Sequence, residues 1–450
     1  MSVSQPAPGP VKNISHLQVP EQKLPNGLRV LTVEDHRLPC VSVRLACEAG
    51  RICSPDHNLS LSPLTLELLK EGAAGRSSRQ ISALMDWLAI EYQTGLQMEY
   101  CLLSMDALED HMKTALELMA DLLQRPTFPL EELDRLKVRW RSELLAQRTQ
   151  PAFLAKEQIF HTLYAGHPYA KVSIPPPHLE EATREQVSEI HQGQYQPGTA
   201  LLLLTGPVSP ERSYQLADRF FGSWTSVASV TPDPHPPPPA VQERRICLVH
   251  RPHSAQSKLL VAIRTVPWAH PDMMALRLGN QVLGGGGSAR LFLNLREDKG
   301  YTYGAYSVLK GYRQDGTFLV SADVNTEATA DSLSEIFREL EILRTSPPAP
   351  EELSRCRAEI MGAYIRQMQT PASIGEMELI RRIYRLPEDY YQTFIPRLRS
   401  TGEEEVLQCC QRYLADNRAV MAVVADREQV EAGLQSLGEV RVYDTSGNEI

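Results

Sequence analysis

The sequence predicts an α+β chain built as a tandem duplication, each copy a mainly antiparallel sheet packed with helices. Three observations carry that expectation. Two segments, Glu131–Tyr164 and Glu351–Tyr384, run in register at a constant offset of 220 residues. Their identical pairs are Glu131/Glu351, Glu132/Glu352, Leu133/Leu353, Arg135/Arg355, Gln147/Gln367, Pro151/Pro371, Ala152/Ala372 and Tyr164/Tyr384. A fixed repeat dictates architecture before any local propensity does. Second, Thr231–Ala240 carries four consecutive prolines, a stiff extended spacer near the middle of the chain. Third, each half opens with apolar strand-like runs and continues with segments of helical period.

Taken in order, residues 1–20 form a tail, 21–228 the first copy, 229–240 the Pro-rich linker and 241–450 the second copy. In the first copy Leu28–Leu31 and Val41–Ala46 read as strands. Pro63 after Ser62 reads as a helix start, with Ser62 as cap and Pro63 in the first turn. Ala115, Leu116, Met119, Leu122 and Leu123 share one helical face. In the second copy Ile246–Val249 and Leu259–Ile263 repeat the opening strands. Gly311–Val324 reads as a hairpin turning at Asp315-Gly316.

Composition narrows the function. Of the 450 residues, 42% are hydrophobic and 22% charged, which suits an ordinary globular chain. Lys plus Arg is 46 against 55 Asp plus Glu, so the net charge of −9 argues against a general nucleic-acid binder. No apolar run approaches the length of a membrane-spanning helix. The polar, Pro-rich start lacks the pattern of a secretory signal, which gives a cytoplasmic expectation. The eight cysteines contain no C-x-x-C pair and read as buried or incidental thiols.

Two stretches carry a family resemblance. LPNGLRVLTVEDHRLPCVSVRLACEAG from Leu24, followed by EGAAGRSS from Glu71, resembles the opening of the inverzincin metallopeptidases. Pitrilysin, insulin-degrading enzyme and mitochondrial processing peptidase belong to that family. LGGGGSARLFLNLREDKGYTYGAYS from Leu283 resembles the matching part of their second half, and the likeness spans Gln22 to Asp426. The resemblance implies a pitrilysin-like domain in each copy, with two chains closing like a clam around a peptide chamber.

Active members carry H-x-x-E-H on a helix. Two histidines at i and i+4 hold one zinc ion, the glutamate acts as general base, and a further glutamate downstream completes the ligands. Here the matching positions hold Pro63, Leu66 and Glu67, and Glu143 stands where the downstream glutamate falls. By residue type Glu67 and Glu143 read as helix-surface carboxylates. His57 in the preceding loop is a weak substitute ligand, and His250 and His253 flank Pro252 without ligand spacing. No metal is expected in this chain.

Arg296 and Tyr303 stand seven apart in LREDKGYTY. By residue type alone, Arg296 equally suits an exposed helix end and Tyr303 an aromatic in a strand. The resemblance implies more: an arginine and a tyrosine at this spacing bind the substrate carbonyl and stabilise the oxyanion. Gly284, Gly285, Gly286 and Gly287 lack the Lys-Ser/Thr of a phosphate loop. They suit a mobile helix junction or, by resemblance, a peptide-contacting loop.

The leading expectation is therefore the zinc-less subunit of a heterodimeric peptidase, inactive alone. A homologous partner would supply H-x-x-E-H and zinc, and an unfolded peptide would be the substrate. A homodimer also satisfies the clam. The alternative is an inactive scaffold or peptide-binding homologue. No Gly-x-Ser-x-Gly elbow supports a different hydrolase. Neither nucleic acid nor membrane is an expected partner.

Overall fold

A computed structural model describes residues 18–226 and 236–450. Most of the expected tail and seven of the twelve residues of the Pro-rich linker lie outside the described residues. The first half contributes strands β1 (Glu21–Lys23), β2 (Arg29–Glu34), β3 (Cys40–Cys47), β4 (Gly72–Ala73), β5 (Arg76–Ser77), β6 (Glu91–Leu96), β7 (Cys101–Leu108) and β8 (Ala200–Gly206). The second contributes β9 (Arg245–His250), β10 (Gln256–Thr265), β11 (Thr302–Gly311), β12 (Gly316–Asn325), β13 (Val420–Ala425) and β14 (Val440–Tyr443).

The duplication is visible in the topology. One six-stranded sheet runs β1-β2-β8-β3-β7-β6, the other β11-β12-β10-β13-β9-β14, while β4 and β5 form a separate ladder. Read from β2 and from β9, five strands follow the same order. The pairing sense also repeats: β2 with β8 and β9 with β13 are parallel, and the next three pairs in each sheet are antiparallel. The copies differ at the sixth strand, since β1 runs antiparallel to β2 and β14 parallel to β9.

The strands β8 and β13 are buried along their whole length. Their sequences, ALLLLTG and VMAVVA, are apolar but for Thr205 because both faces are covered. The helix Met112–Gln124 packs on β7 and β3, and Thr329–Thr345 packs on β10 and β12. The expected apolar face is the buried one, with Ala115, Leu116, Met119, Leu122 and Leu123 all in the core.

The repeated P-A segment has an unexpected place. The helix Pro151–Leu163, in the first half, packs on β10 and β13 of the second sheet. Its counterpart Pro371–Ile383 packs on β8 and β2 of the first. Leu154, Ala155, Ile159 and Leu163 share a core with Leu260, Ala262, Val420 and Val424. In return, Gly375 lets its helix sit directly on β8: a Cβ there would lie 2.8 Å from a Leu203 methyl. The halves thus exchange a helix, and each sheet is completed by the other half.

Two local expectations are corrected. The helix runs Leu61–Leu68 with Ser60 at its cap position, so it starts before Ser62, and Pro63 is the third helical residue. The Ser60 hydroxyl instead donates to Asn58 Oδ1 or the His178 carbonyl, and Ser54 Oγ accepts the Ser62 N–H at 3.0 Å. Proline is tolerated because the first-turn N–H groups lack intrahelical partners anyway. The hairpin is β11 and β12, not Gly311–Val324. Gly311 pairs with Gly316, and the loop is Tyr312–Asp315, closed by Tyr312 N–H donating to the Asp315 carbonyl at 2.7 Å. The Asp315 carboxylate, at the last loop residue, is buried against Arg264.

Candidate functional site

The helix Leu61–Leu68 brings Pro63, Leu66 and Glu67 to one wall of a cavity of about 360 Å³. The helix Leu130–Gln147 brings Arg139, Trp140 and Glu143 to another wall, and Thr94 and Leu96 of β6 complete the rim. The four degenerate positions named from the sequence are therefore gathered in one place. β6 is the outermost strand of its sheet.

The charges there are arranged around a residue that motif reasoning passed over. The Arg139 guanidinium lies 3.8 Å from the Glu67 carboxylate and 3.6 Å from that of Glu143. Thr94 Oγ1 also donates to Glu67 at 3.4 Å. A side-chain cation thus sits between two carboxylates. The signal was present in the sequence, since Arg139 and Glu143 stand at i and i+4 on a helix.

These residues do not fit zinc. Pro63 and Leu66 have no donor atom, and both carboxylates already face a guanidinium. Among the described residues, no group of three His, Cys, Asp or Glu side chains could hold a metal ion. His57 is exposed in its loop. His250 Nδ1 accepts the Arg427 N–H at 3.1 Å, and the His253 N–H donates to the Asp426 carboxylate at 2.9 Å. Those two histidines shape the start of the helix Arg427–Gln435.

The second half presents a different surface. Arg296 lies in a π-helical turn, Leu293–Asp298, which leads through Gly300 (φ +65°) into β11. Wide turns of this kind are common at functional sites. The Arg296 guanidinium stacks 4.7 Å from the Phe292 ring centroid and lies 3.5 Å from the neighbouring Glu297. Its side chain is 46% exposed. Tyr303 is 87% exposed, beside a register shift in β11 between Thr302 and Ala305. No hydrogen bond joins Arg296 to Tyr303, and both reach solvent. β11 is the outermost strand of the second sheet, and Leu293, Tyr306 and Val308 are exposed with Tyr303.

The glycine run divides into two parts. Gly284 closes the helix Met273–Gly284 against β11, where a Cβ would meet the Ser307 backbone N at 2.4 Å. Gly286 and Gly287 have room for a side chain. The loop is tied to the helix Pro350–Gln367: Gln281 donates to Glu359 at 2.7 Å, and Arg355 to the Ser288 carbonyl at 3.0 Å. Gly284 is thus a packing residue.

The fold is a duplicated α+β chain whose first-half cavity holds an arginine between two carboxylates. Residues 29–176 match the family model for insulinase (peptidase family M16), and residues 181–360 that for the peptidase M16 inactive domain. The "uncharacterized zinc protease YmxG" of Bacillus subtilis strain 168 is 23% identical over 356 residues, covering 77% of this chain and 84% of that protein. The mitochondrial-processing peptidase subunit beta of Bos taurus is 22% identical over 437 residues, covering 92% and 86%. The crystal structure of a peptidase M16 inactive domain from Pseudomonas fluorescens superimposes with a TM-score of 0.83 at 25% identity, covering 91% and 98%. The chain belongs to peptidase family M16, as an inactive-type homologue.

Proposed function

We propose that this chain is the zinc-less subunit of a two-chain M16 peptidase. It would lend Arg296 and Tyr303 to the active site of a homologous partner and form part of the peptide chamber. The observation that carries this reading is their contrasting setting. Arg139 sits between two carboxylates at the first-half cavity, whereas Arg296 and Tyr303 are exposed, with Arg296 held by its neighbour Glu297 and the Phe292 ring. Exposed apolar residues around them give a partner something to bury. The bovine relative is itself named as a subunit.

The partner's zinc would supply a polarised water. This chain's part is charge stabilisation. A guanidinium, always protonated, and a phenol would both donate to the scissile carbonyl oxygen as it gains negative charge. An oxyanion donor of this kind contributes about 3–4 kcal/mol. The peptide would lie extended against a sheet edge, and Gly286–Gly287 would let its backbone pass close.

The test is reconstitution with a zinc-bearing homologue and an unstructured peptide. Turnover should require both chains and fall about 100-fold or more with Tyr303→Phe or Arg296→Ala. Full turnover by the partner alone would reject the proposal. Stable association without any effect of these substitutions would favour an inactive scaffold.

A further inference from the structure

The first-half cavity is lined by two donors that the surrounding residues leave unused. One is Arg51. Backbone contacts fix its place beside the turn after β6: its N–H donates to the Gln97 carbonyl at 2.9 Å, and the Ile52 N–H to that of Met98 at 3.0 Å. Gly50, just before it, has no room for a Cβ, which would lie 2.3 Å from the Met98 carbonyl oxygen. Among the described residues the half-buried Arg51 guanidinium has no hydrogen bond and no carboxylate partner. Only burial acts on it, lowering its pKa.

The other donor is Ser173. It is 6% exposed and lines the same cavity, yet its hydroxyl has no hydrogen-bond partner among the described residues. The segments that carry the two donors are stitched together. Lys171 Nζ donates to the Ser54 carbonyl at 2.6 Å and to the Ile52 carbonyl at 3.3 Å, and it lies 3.0 Å from the Asp56 carboxylate. An unused guanidinium and an unused hydroxyl therefore stand on adjoining segments of the lining.

The rest of the lining decides what these donors can hold. Glu67 and Glu143 flank Arg139, so those three charges answer one another, and Arg51 is the charged lining residue left over. Leu66, Leu96, Trp140, Leu144 and Phe153 supply apolar surface, Phe153 from the helix Pro151–Leu163 that covers the second sheet. The volume of about 360 Å³ suits a small ligand or one large side chain. A cation partly withdrawn from water without an anion carries a desolvation cost, and a carboxylate that accepts its hydrogen bonds offsets that cost. One leftover cation matches one negative charge; a phosphate dianion would bring a second charge toward Glu67 and Glu143.

We propose that this cavity is a binding pocket for an apolar carboxylate, with the carboxylate on Arg51 and Ser173 and the apolar group against Trp140 and Phe153. The ligand can be a free acid or the last residue of a peptide, which share the same chemistry. The pocket needs neither Arg296 nor Tyr303 nor a partner chain, so the wall without metal donors has a ligand of its own.

Calorimetric titration of the isolated full-length chain tests this without turnover. The probes are N-acetylphenylalanine, its amide, N-acetylalanine, and an unstructured peptide of about ten residues ending in phenylalanine, made as free acid and as amide. A phenylalanine acid should bind at least about tenfold tighter than its amide and tighter than N-acetylalanine. Binding of N-acetylphenylalanine supports the pocket with a free acid as sufficient ligand; binding of the peptide acid alone supports it with a peptide C-terminus as the source. Arg51→Gln should remove most of the preference for acid over amide. Ser173→Ala, which deletes a single oxygen, should weaken acid binding about three- to tenfold. Both should leave the amide's affinity unchanged. Thermal melts show that each variant folds, and Ser173→Ala keeps the test decisive if Arg51→Gln does not. Equal affinity for acid and amide, no binding at millimolar concentration, or a preference that survives these substitutions would overturn the proposal. Failure of the Arg296 and Tyr303 reading would instead appear in the turnover of the reconstituted pair.

Discussion

A rebuilt zinc motif should bind its metal more weakly while one further residue, Arg139, remains. Pro63→His, Leu66→Glu and Glu67→His would restore H-x-x-E-H on the helix Leu61–Leu68, with Glu143 available as third ligand. Arg139 lies 3.6 Å from that third ligand, so a bound ion would come within about 5 Å of the guanidinium. Two unit charges 4 Å apart repel by about 1 kcal/mol in water and about 4 kcal/mol at an effective dielectric near 20. A divalent ion doubles this. Arg139 is 53% exposed, which places it toward the watery limit. The penalty is then about 2 kcal/mol, or roughly thirtyfold in affinity. Chelator competition would measure zinc affinity of the triple variant and of the same protein with Arg139→Gln added. The quadruple variant should bind about thirtyfold tighter and show the larger zinc-induced rise in Tm. Equal affinity would refute the claim that Arg139 holds the metal's electrostatic place.

Other consequences can be checked on the isolated chain. Arg296→Ala and Tyr303→Phe should change unfolding free energy by no more than about 0.5 kcal/mol, as expected at exposed positions, so urea melts should superimpose on wild type. Gly375→Ala should cost about 1–2 kcal/mol despite alanine's better helix propensity, because buried Leu203 would have to move; denaturant midpoints would show it. Burial raises the Glu99 pKa above its ordinary 4.5. A raised folded-state value makes its contribution fully present below the unfolded pKa and lost as pH rises through the folded one. Glu99→Gln should therefore gain stability relative to wild type as pH climbs from about 4 toward neutrality. Parallel curves of stability against pH would contradict that.

The sequence foretold the duplication because a repeated P-A break at a fixed offset survives where single motifs drift. The apolar runs of β8 and β13 also carry their burial openly. What stayed hidden depends on contacts between distant segments. Pro151 and Pro371 mark the starts of equivalent helices, but nothing local tells either helix to cross to the other sheet. The cap at Ser60 escaped notice because Ser62 beside Pro63 offers a stronger local signal, and Ser54, remote in sequence, satisfies the helix start instead. Arg139 was readable only as a surface i,i+4 pair. Its second carboxylate comes from the helix Leu61–Leu68, which only folding brings near.

The traded helices make the covalent link between the halves almost redundant. A cut beside Pro236–Ala240 would leave two fragments, each with a bare apolar sheet face and each holding the piece that covers the other's. Neither fragment could settle without its sibling. Together they would remain clasped as one body, and the cavity of the first half would keep its shape after the backbone had been severed.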